Sequence, residues 1–479
     1  MSSIDLRVTE SSHAARASST SGSRQTQLNQ RLAIFLIAFV ALAPVPLGGA
    51  RPLFWAISGV VIAVGGLIYS LAIWRKRENF RVGLSTLAWA IIPWCFVLAA
   101  LVVQILPLGA TNPIIFTSFD GEAVPSSTLS LAPGETLLMI LRMAGYGCFF
   151  FLAVQVASNR DRALQLARWT CYLVAAHAVY GLVALTQFGD PMLLVEKWAY
   201  LGSATGTFVN RNSYATFLAV GLVTATGLSL RTLLQGGPSH LRKGQRKPLA
   251  QAIPFMVATL VILAALFASE SRMGLFAGLV GAGLVVSVGL AKGSFGDRKR
   301  TFSAIGVALA VLGTALLLFS GGTFERLGSV ERDGDVRLQL YQQVWEMIQA
   351  RWLTGYGGGS FEVAYPLFHR APVSPDLVWH KAHSTYLTLW SELGVLAGTL
   401  PMLIFAMFAF MALRLVWIRQ ADWWLPLITM SALLVIGIHS LVDFSMEISG
   451  NVYLVLLVVA LGTAQRSNGK KRAHSVPVA

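Results

Sequence analysis

Long apolar runs joined by short polar links make up most of the chain. Twelve of them, at 32–49, 52–74, 84–106, 136–156, 169–188, 213–230, 252–270, 273–291, 302–320, 385–413, 423–441 and 448–465, read as membrane-spanning helices, each such span needing about 20 apolar residues. The pattern changes only between 321 and 384. There, Val336, Leu340, Val344, Met347 and Ile348 recur at helical spacing among Gln and Glu, which predicts a helix with one apolar face over 336–350. That face is expected to lie along the membrane surface. The stretch "TGYGGGSF" (354–361) follows. It lacks the lysine of a nucleotide-binding loop, and its glycines suit a close backbone approach.

The expected organisation is a disordered basic tail (1–31), nine spans within 32–320, a large helical loop (321–384), three spans within 385–465 and a second basic tail (466–479). The fold class is therefore an all-α integral membrane protein of about 12 transmembrane helices, with the large loop between spans 9 and 10. Segment 107–135 reads as a plain polar loop.

Composition agrees with a lipid solvent. Hydrophobic residues make up 55% and charged residues 12%, against about 25% charged in soluble domains. The net charge of +15 would suggest nucleic acid, but its distribution argues otherwise. Most of the 37 lysines and arginines fall in alternate links, including "RKRENFR", "LRKGQRK" and "DRKRTF". Positive charge gathers in cytoplasmic loops, so both termini are expected to be cytoplasmic and no nucleic-acid partner is needed. Residues 1–31 lack the apolar core of a signal peptide. Cys95, Cys148 and Cys171 sit inside apolar runs and offer no disulfide framework or Cys-x-x-Cys knuckle.

On this topology the 321–384 loop faces outward, and cations there run against the insertion bias. Arg211 in "GTFVNRNSYATF", Arg272 in "SESRMGLFAGL" and Arg337 in "DGDVRLQLYQQVWEMIQARW" stand at or near outer span ends. Singly, each could be an arginine snorkelling to the interface. Together they offer guanidinium forks suited to phosphate or pyrophosphate. Three of the eight histidines, His369, His380 and His383, lie in the same loop. A His-x-x-His pair with Glu392 could hold zinc, although the pair spacing alone does not define such a site. His383 could also be structural, or could take a hydroxyl proton, since imidazole titrates near neutrality. His369 and His380 read as solvated loop residues. Arg142, two turns into the fourth span, either snorkels outward or faces a cavity. His439, Asp443 and Glu447 form either a structural cluster or part of an acceptor site.

These motifs, with "AHSTYLTLWSELGVLAG" above all, resemble the O-antigen ligases and related polysaccharide polymerases of bacteria. His383, Ser384 and Gly394 meet the ligase pattern, while Ala397 stands where a further glycine is common and Gly398 comes one place late. That departure blurs the choice between ligase and polymerase. The resemblance covers roughly residues 200–450. It implies a lipid-donor membrane glycosyltransferase of the inner membrane, inverting and without metal or cofactor. The donor would be an undecaprenyl pyrophosphate-linked glycan and the acceptor a lipid A core, a second glycan or a protein hydroxyl. It further implies that His383 activates the acceptor and that Arg211, Arg272 and, by a weaker match, Arg337 hold the donor pyrophosphate. A transporter or flippase is the rival from another class. It would keep polar sites near the bilayer midplane, often in internal repeats, whereas here polar residues crowd the outer boundary.

Overall fold

The computed structural model describes residues 27–108, 115–117, 123–193, 196–235, 248–293, 323–374 and 378–464. Its helices are α1 Gln27–Leu42, α2 Pro52–Arg75, α3 Ala88–Ile105, α4 Pro133–Ala157, α5 Arg160–Gln187, α6 Arg211–Gln235, α7 Pro248–Ala268, α8 Arg272–Gly293, α9 Thr323–Ala350, α10 Thr385–Ile418, α11 Trp424–His439 and α12 Ser449–Thr463. Among the described residues, α2 to α8 and α10 are the eight helices long and apolar enough to cross a membrane, and α1, α11 and α12 are shorter apolar helices. The chain is thus a multi-pass membrane protein. The expected ninth span, 302–320, and most of the two tails (1–26 and 465–479) lie outside the described residues.

Four local expectations are corrected. The first span ends at Leu42 rather than 49, because Pro44 and Pro46 each remove an amide donor and clash with the preceding turn. Segment 107–135 is not wholly loop: β1, Ile115–Thr117, pairs antiparallel with β2, Ala123–Pro125. Asp120-Gly121 between two apolar triplets was the available hairpin signal. The amphipathic helix starts at Thr323, and its apolar face does not lie on lipid. Leu340, Val344, Met347 and Ile348 are buried with Leu131, Phe361, Tyr365, Val373 and Ala382 in a second small core formed by the loop itself. The fourth correction is a break in α10, described below.

Helix α6 is the most enclosed span, with 72% of its apolar window inside the protein, against 17% for α2. It packs on α5, α7, α8, α11 and α12. Small residues allow this approach: Gly274 and Gly278 of α8 meet Ala215 and Ala219 of α6. The well-packed half of the bundle therefore carries the N-termini of α6 and α8, where two of the candidate arginines sit.

Sequence spacing predicts one continuous span over 385–413, but α10 breaks at Gly394, whose φ of 76° and ψ of 163° are not helical. That region is open essentially to glycine alone. The glycine-rich turn causes the break to be stable. The amides of Tyr356 and Gly357 donate to the carbonyls of Ser391 and Glu392 at 2.9 and 3.0 Å, and Val395 donates to Trp352 at 2.7 Å. A Cβ on Gly355 would stand 2.3 Å from the Glu392 carbonyl oxygen, and one on Gly394 2.2 Å from that of Leu353. Gln104 of α3 completes the joint, donating to the carbonyls of Thr354 and Glu392 and accepting from the Gly358 amide. Two of the carbonyls freed by the break, those of Ser391 and Glu392, thereby gain partners, as a buried helix end requires.

Candidate active site

His383 lies two residues before the start of α10, and its backbone is in the left-handed region, φ 54°. Such a conformation is uncommon for a residue with a side chain and persists where the surroundings fix it. Here they do. The Thr385 amide donates to the carbonyls of Ser440 and Asp443, Thr385 Oγ1 donates to the Asp443 carbonyl, and Tyr341 Oη donates to the His383 carbonyl at 2.9 Å. The imidazole stands edge-on between Trp379 and Phe444, with centroids 5.8 and 5.3 Å away. Its Nδ1 is enclosed without a hydrogen-bond partner. Burial moves its pKa below the ordinary imidazole range. Asp443 opposes that shift, Arg337 reinforces it, and Glu447 opposes it again. The result is a neutral ring at neutral pH, able to accept a proton.

Arg211 is the first residue of α6. Its Nη1 donates to Ser203 Oγ and Glu270 Oε2, each at 3.3 Å, and its guanidinium lies 5.5 Å from the Tyr200 ring. The loop carrying Tyr200 and Ser203 is fixed by Lys197, which donates to Asp190 at 2.7 Å and to the Ser203 carbonyl at 2.6 Å. Arg272 is the first residue of α8 and is exposed. The turn before it is joined to α6, since Ser271 Oγ donates to Asn212 Oδ1 at 2.8 Å. Asn212 in turn donates to Asp443 at 3.2 Å. Asp443 is buried, also accepts from Ser445 Oγ, and its backbone holds Thr385. One hydrogen-bonded path thus joins the α8 N-terminus, the α6 N-terminus and the His383 segment. Arg337 on α9 is half-buried, close enough to lower the pKa of His383 and to offset part of the rise that burial gives Tyr200 and Tyr341.

Of the four residues singled out from sequence, Arg337 and His383 lie near Asp443, and Arg211, Arg337 and Asp443 all act on Tyr200; Arg272 is tied to them only through the turn that carries Ser271. Arg211 is already paired with a carboxylate, which the sequence did not suggest. The remaining candidates separate. His380 pairs with Glu362 at 2.9 Å on the surface. His369 is not a solvated loop residue: it is half-buried, bonds the Val373 carbonyl and stacks on Tyr365. Glu392 accepts the amides of Gly359 and Phe361, so its carboxylate serves the glycine-rich turn. Among the described residues no three His, Cys, Asp or Glu side chains converge to hold a metal ion.

Arg142 faces a cavity. It is 7% exposed, sits over the Trp55 ring at 4.3 Å and donates to the Glu447 carbonyl at 3.3 Å. That cavity, of about 1030 Å³, is lined also by Lys381 and Thr385, which flank His383 in the chain. Lys381 bonds Glu447 at 2.8 Å. Burial alone would lower its pKa, but Glu447 and Glu392 outweigh that and raise it. Residues missed from the sequence include Tyr341, Glu270, Asn212, Gln104 and Lys381. Lys381 carried the same signal as the arginines, a cation in the segment expected to face outward.

No curated protein matches the chain. Residues 257–402, which contain Arg272, Arg337, the glycine-rich turn and His383, match the Wzy_C family, described as O-antigen ligase.

Proposed function

We propose that the protein is a glycosyltransferase of the bacterial inner membrane, with both termini cytoplasmic. It moves a glycan from undecaprenyl pyrophosphate to a hydroxyl of lipid A core at the periplasmic face. The observation that supports this reading is the half-buried His383 beside Asp443 and Arg337, with Arg211 at the start of the helix whose Asn212 bonds Asp443. In the reaction the acceptor oxygen attacks the anomeric carbon from the face opposite the pyrophosphate, and its proton passes to His383. The bond from that carbon to the phosphate oxygen breaks, the electron pair leaves with the pyrophosphate, and the anomeric centre inverts. The arginines stabilise charge growing on the leaving group, so neither a metal nor a cofactor is required. Loss of an interaction made only in the transition state costs ~3 kcal/mol, about 100-fold in rate.

The test is transfer by purified protein from an undecaprenyl pyrophosphate glycan to lipid A core in the presence of EDTA. Transfer that survives EDTA and falls about 100-fold in His383→Ala, Arg211→Ala and Arg272→Ala supports the reading. Lengthening of the lipid-linked glycan while lipid A stays bare makes the protein a polymerase. Export of the donor across vesicles without any transfer makes it a transporter and ends the enzyme reading.

A further inference from the structure

None of Arg211, Arg272, Arg337 and His383 lines the cavity that receives Arg142. Its polar end is built at the N-terminus of α2. Arg51 and Trp55 line it there, with Arg51 exposed and the partial positive charge of a helix N-terminus beside it. Arg142 lies more than nine-tenths buried and its Nε has no acceptor. Its contacts are a backbone carbonyl and an aromatic face, not a carboxylate.

The acidic residues around the cavity are already engaged or peripheral. Glu447 bonds Lys381 through Oε2 and leaves Oε1 buried without a partner among the described residues, its carboxylate not reaching Arg142. Glu392 accepts two backbone amides, Glu362 pairs with His380, and Glu135 is exposed at the start of α4. A buried guanidinium with an unused donor is costly unless an anion completes it. The opposite end of the cavity is apolar, walled by Phe405, Leu433 and Val452. It abuts a second space of about 330 Å³ between α3, α4, α10 and α12, with which it shares Trp94, Tyr146, Phe405 and Val452. A charged end and a long apolar end between membrane helices match a molecule with a phosphate headgroup and a hydrocarbon chain.

We propose that this cavity is a second lipid site, binding a phosphate-bearing headgroup through Arg142 and Arg51 while the chain occupies the apolar space toward α3. The lipid is a polyprenyl phosphate or an acylated phospholipid, which share this chemistry. The site is defined by binding and does not depend on the transfer reaction proposed above.

The test is retention of lipid by the purified full-length protein in neutral detergent, read by native mass spectrometry. The probes are undecaprenyl phosphate, phosphatidylglycerol, neutral diacylglycerol and inorganic phosphate. One of the two phosphate lipids is expected to bind about tenfold more tightly than diacylglycerol, and which one does so identifies the source. Arg51→Gln and Arg142→Gln should each weaken it about tenfold, whereas Arg370→Gln, an exposed loop arginine paired with Glu346, leaves it unchanged. Arg51 is exposed, so its variant reports binding even if Arg142→Gln fails to fold. Equal retention of diacylglycerol, displacement by inorganic phosphate at the lipid's own concentration, or indifference to Arg51→Gln would each overturn the assignment. So would loss of binding in Arg370→Gln.

Discussion

Tyr341 donates a hydrogen bond from its hydroxyl to the backbone carbonyl of His383, 2.9 Å away, joining α9 to the segment that holds the imidazole. The bond helps keep His383 in its left-handed conformation and fixes where the ring points. Tyr341→Phe removes the donor and little else. A net hydrogen bond is worth ~1 kcal/mol, so kcat for transfer should fall about fivefold with the acceptor KM nearly unchanged. Steady-state kinetics decide this, and an unchanged kcat would mean that the bond serves stability alone.

The electrostatics of His383 set a direction for pH dependence. Its pKa lies below the ordinary imidazole range, so the neutral, proton-accepting form persists into mildly acidic solution. On acidification the unfolded chain takes up this proton before the folded one. Stability therefore falls as pH drops from the ordinary imidazole value toward the folded one. Arg337→Gln removes a neighbour that lowers the pKa, so the acid limb of the rate profile should move to higher pH. A pH–rate comparison of the two proteins reads the shift, and movement to lower pH would contradict the assignment.

At Gly394 an added methyl group meets the Leu353 carbonyl at 2.2 Å in a backbone region that side chains avoid. Gly394→Ala should cost about 3 kcal/mol, visible as a lower midpoint in thermal unfolding in detergent. Activity should fall with it, because the outer piece of α10 carries His383 at its tip. A variant with wild-type stability would show that the break tolerates other backbone geometries.

Glu270 occupies the guanidinium that the proposed donor would use. It is 62% exposed where it meets Arg211, and exposed pairs contribute only about 0–1 kcal/mol. Glu270→Gln should leave the unfolding midpoint in place while tightening binding of a polyprenyl pyrophosphate about threefold. Equilibrium binding distinguishes this from a positioning role, in which affinity would drop.

Much of the site was legible because it depends on residue type against topology. Arg211, Arg272, Arg337 and His383 stand out as polar residues at expected span ends, and Arg337 and His383 share Asp443 as a neighbour. What the sequence concealed was pairing across distance. Glu270 and Asn212 look like ordinary link residues until the α7–α8 turn sets Ser271 against α6. Apolar periodicity located α9, but periodicity cannot say whether an apolar face meets lipid or protein. Leu340 and Val344 meet Phe361 and Tyr365, residues that the glycine-rich turn returns to them. The break in α10 was concealed for a similar reason. One glycine in an apolar run is tolerated in a helix, and only the facing turn at 354–359 shows that this one is not.

That break also separates the site from the bilayer. A continuous span answers to membrane thickness by tilting or shifting along its axis, and a residue at its tip moves with it. Here the piece from Thr385 to Leu393 is bonded at one end to Ser440 and Asp443 and at the other to Tyr356 and Gly357, and Val395, just past the break, is bonded to Trp352. Its height is therefore set by protein backbone, while the piece beyond Gly394 is left to match the hydrocarbon. A cell that lengthens or shortens its acyl chains would change the inclination of the inner part of α10 and leave His383 at the same depth relative to Arg211 and Arg337.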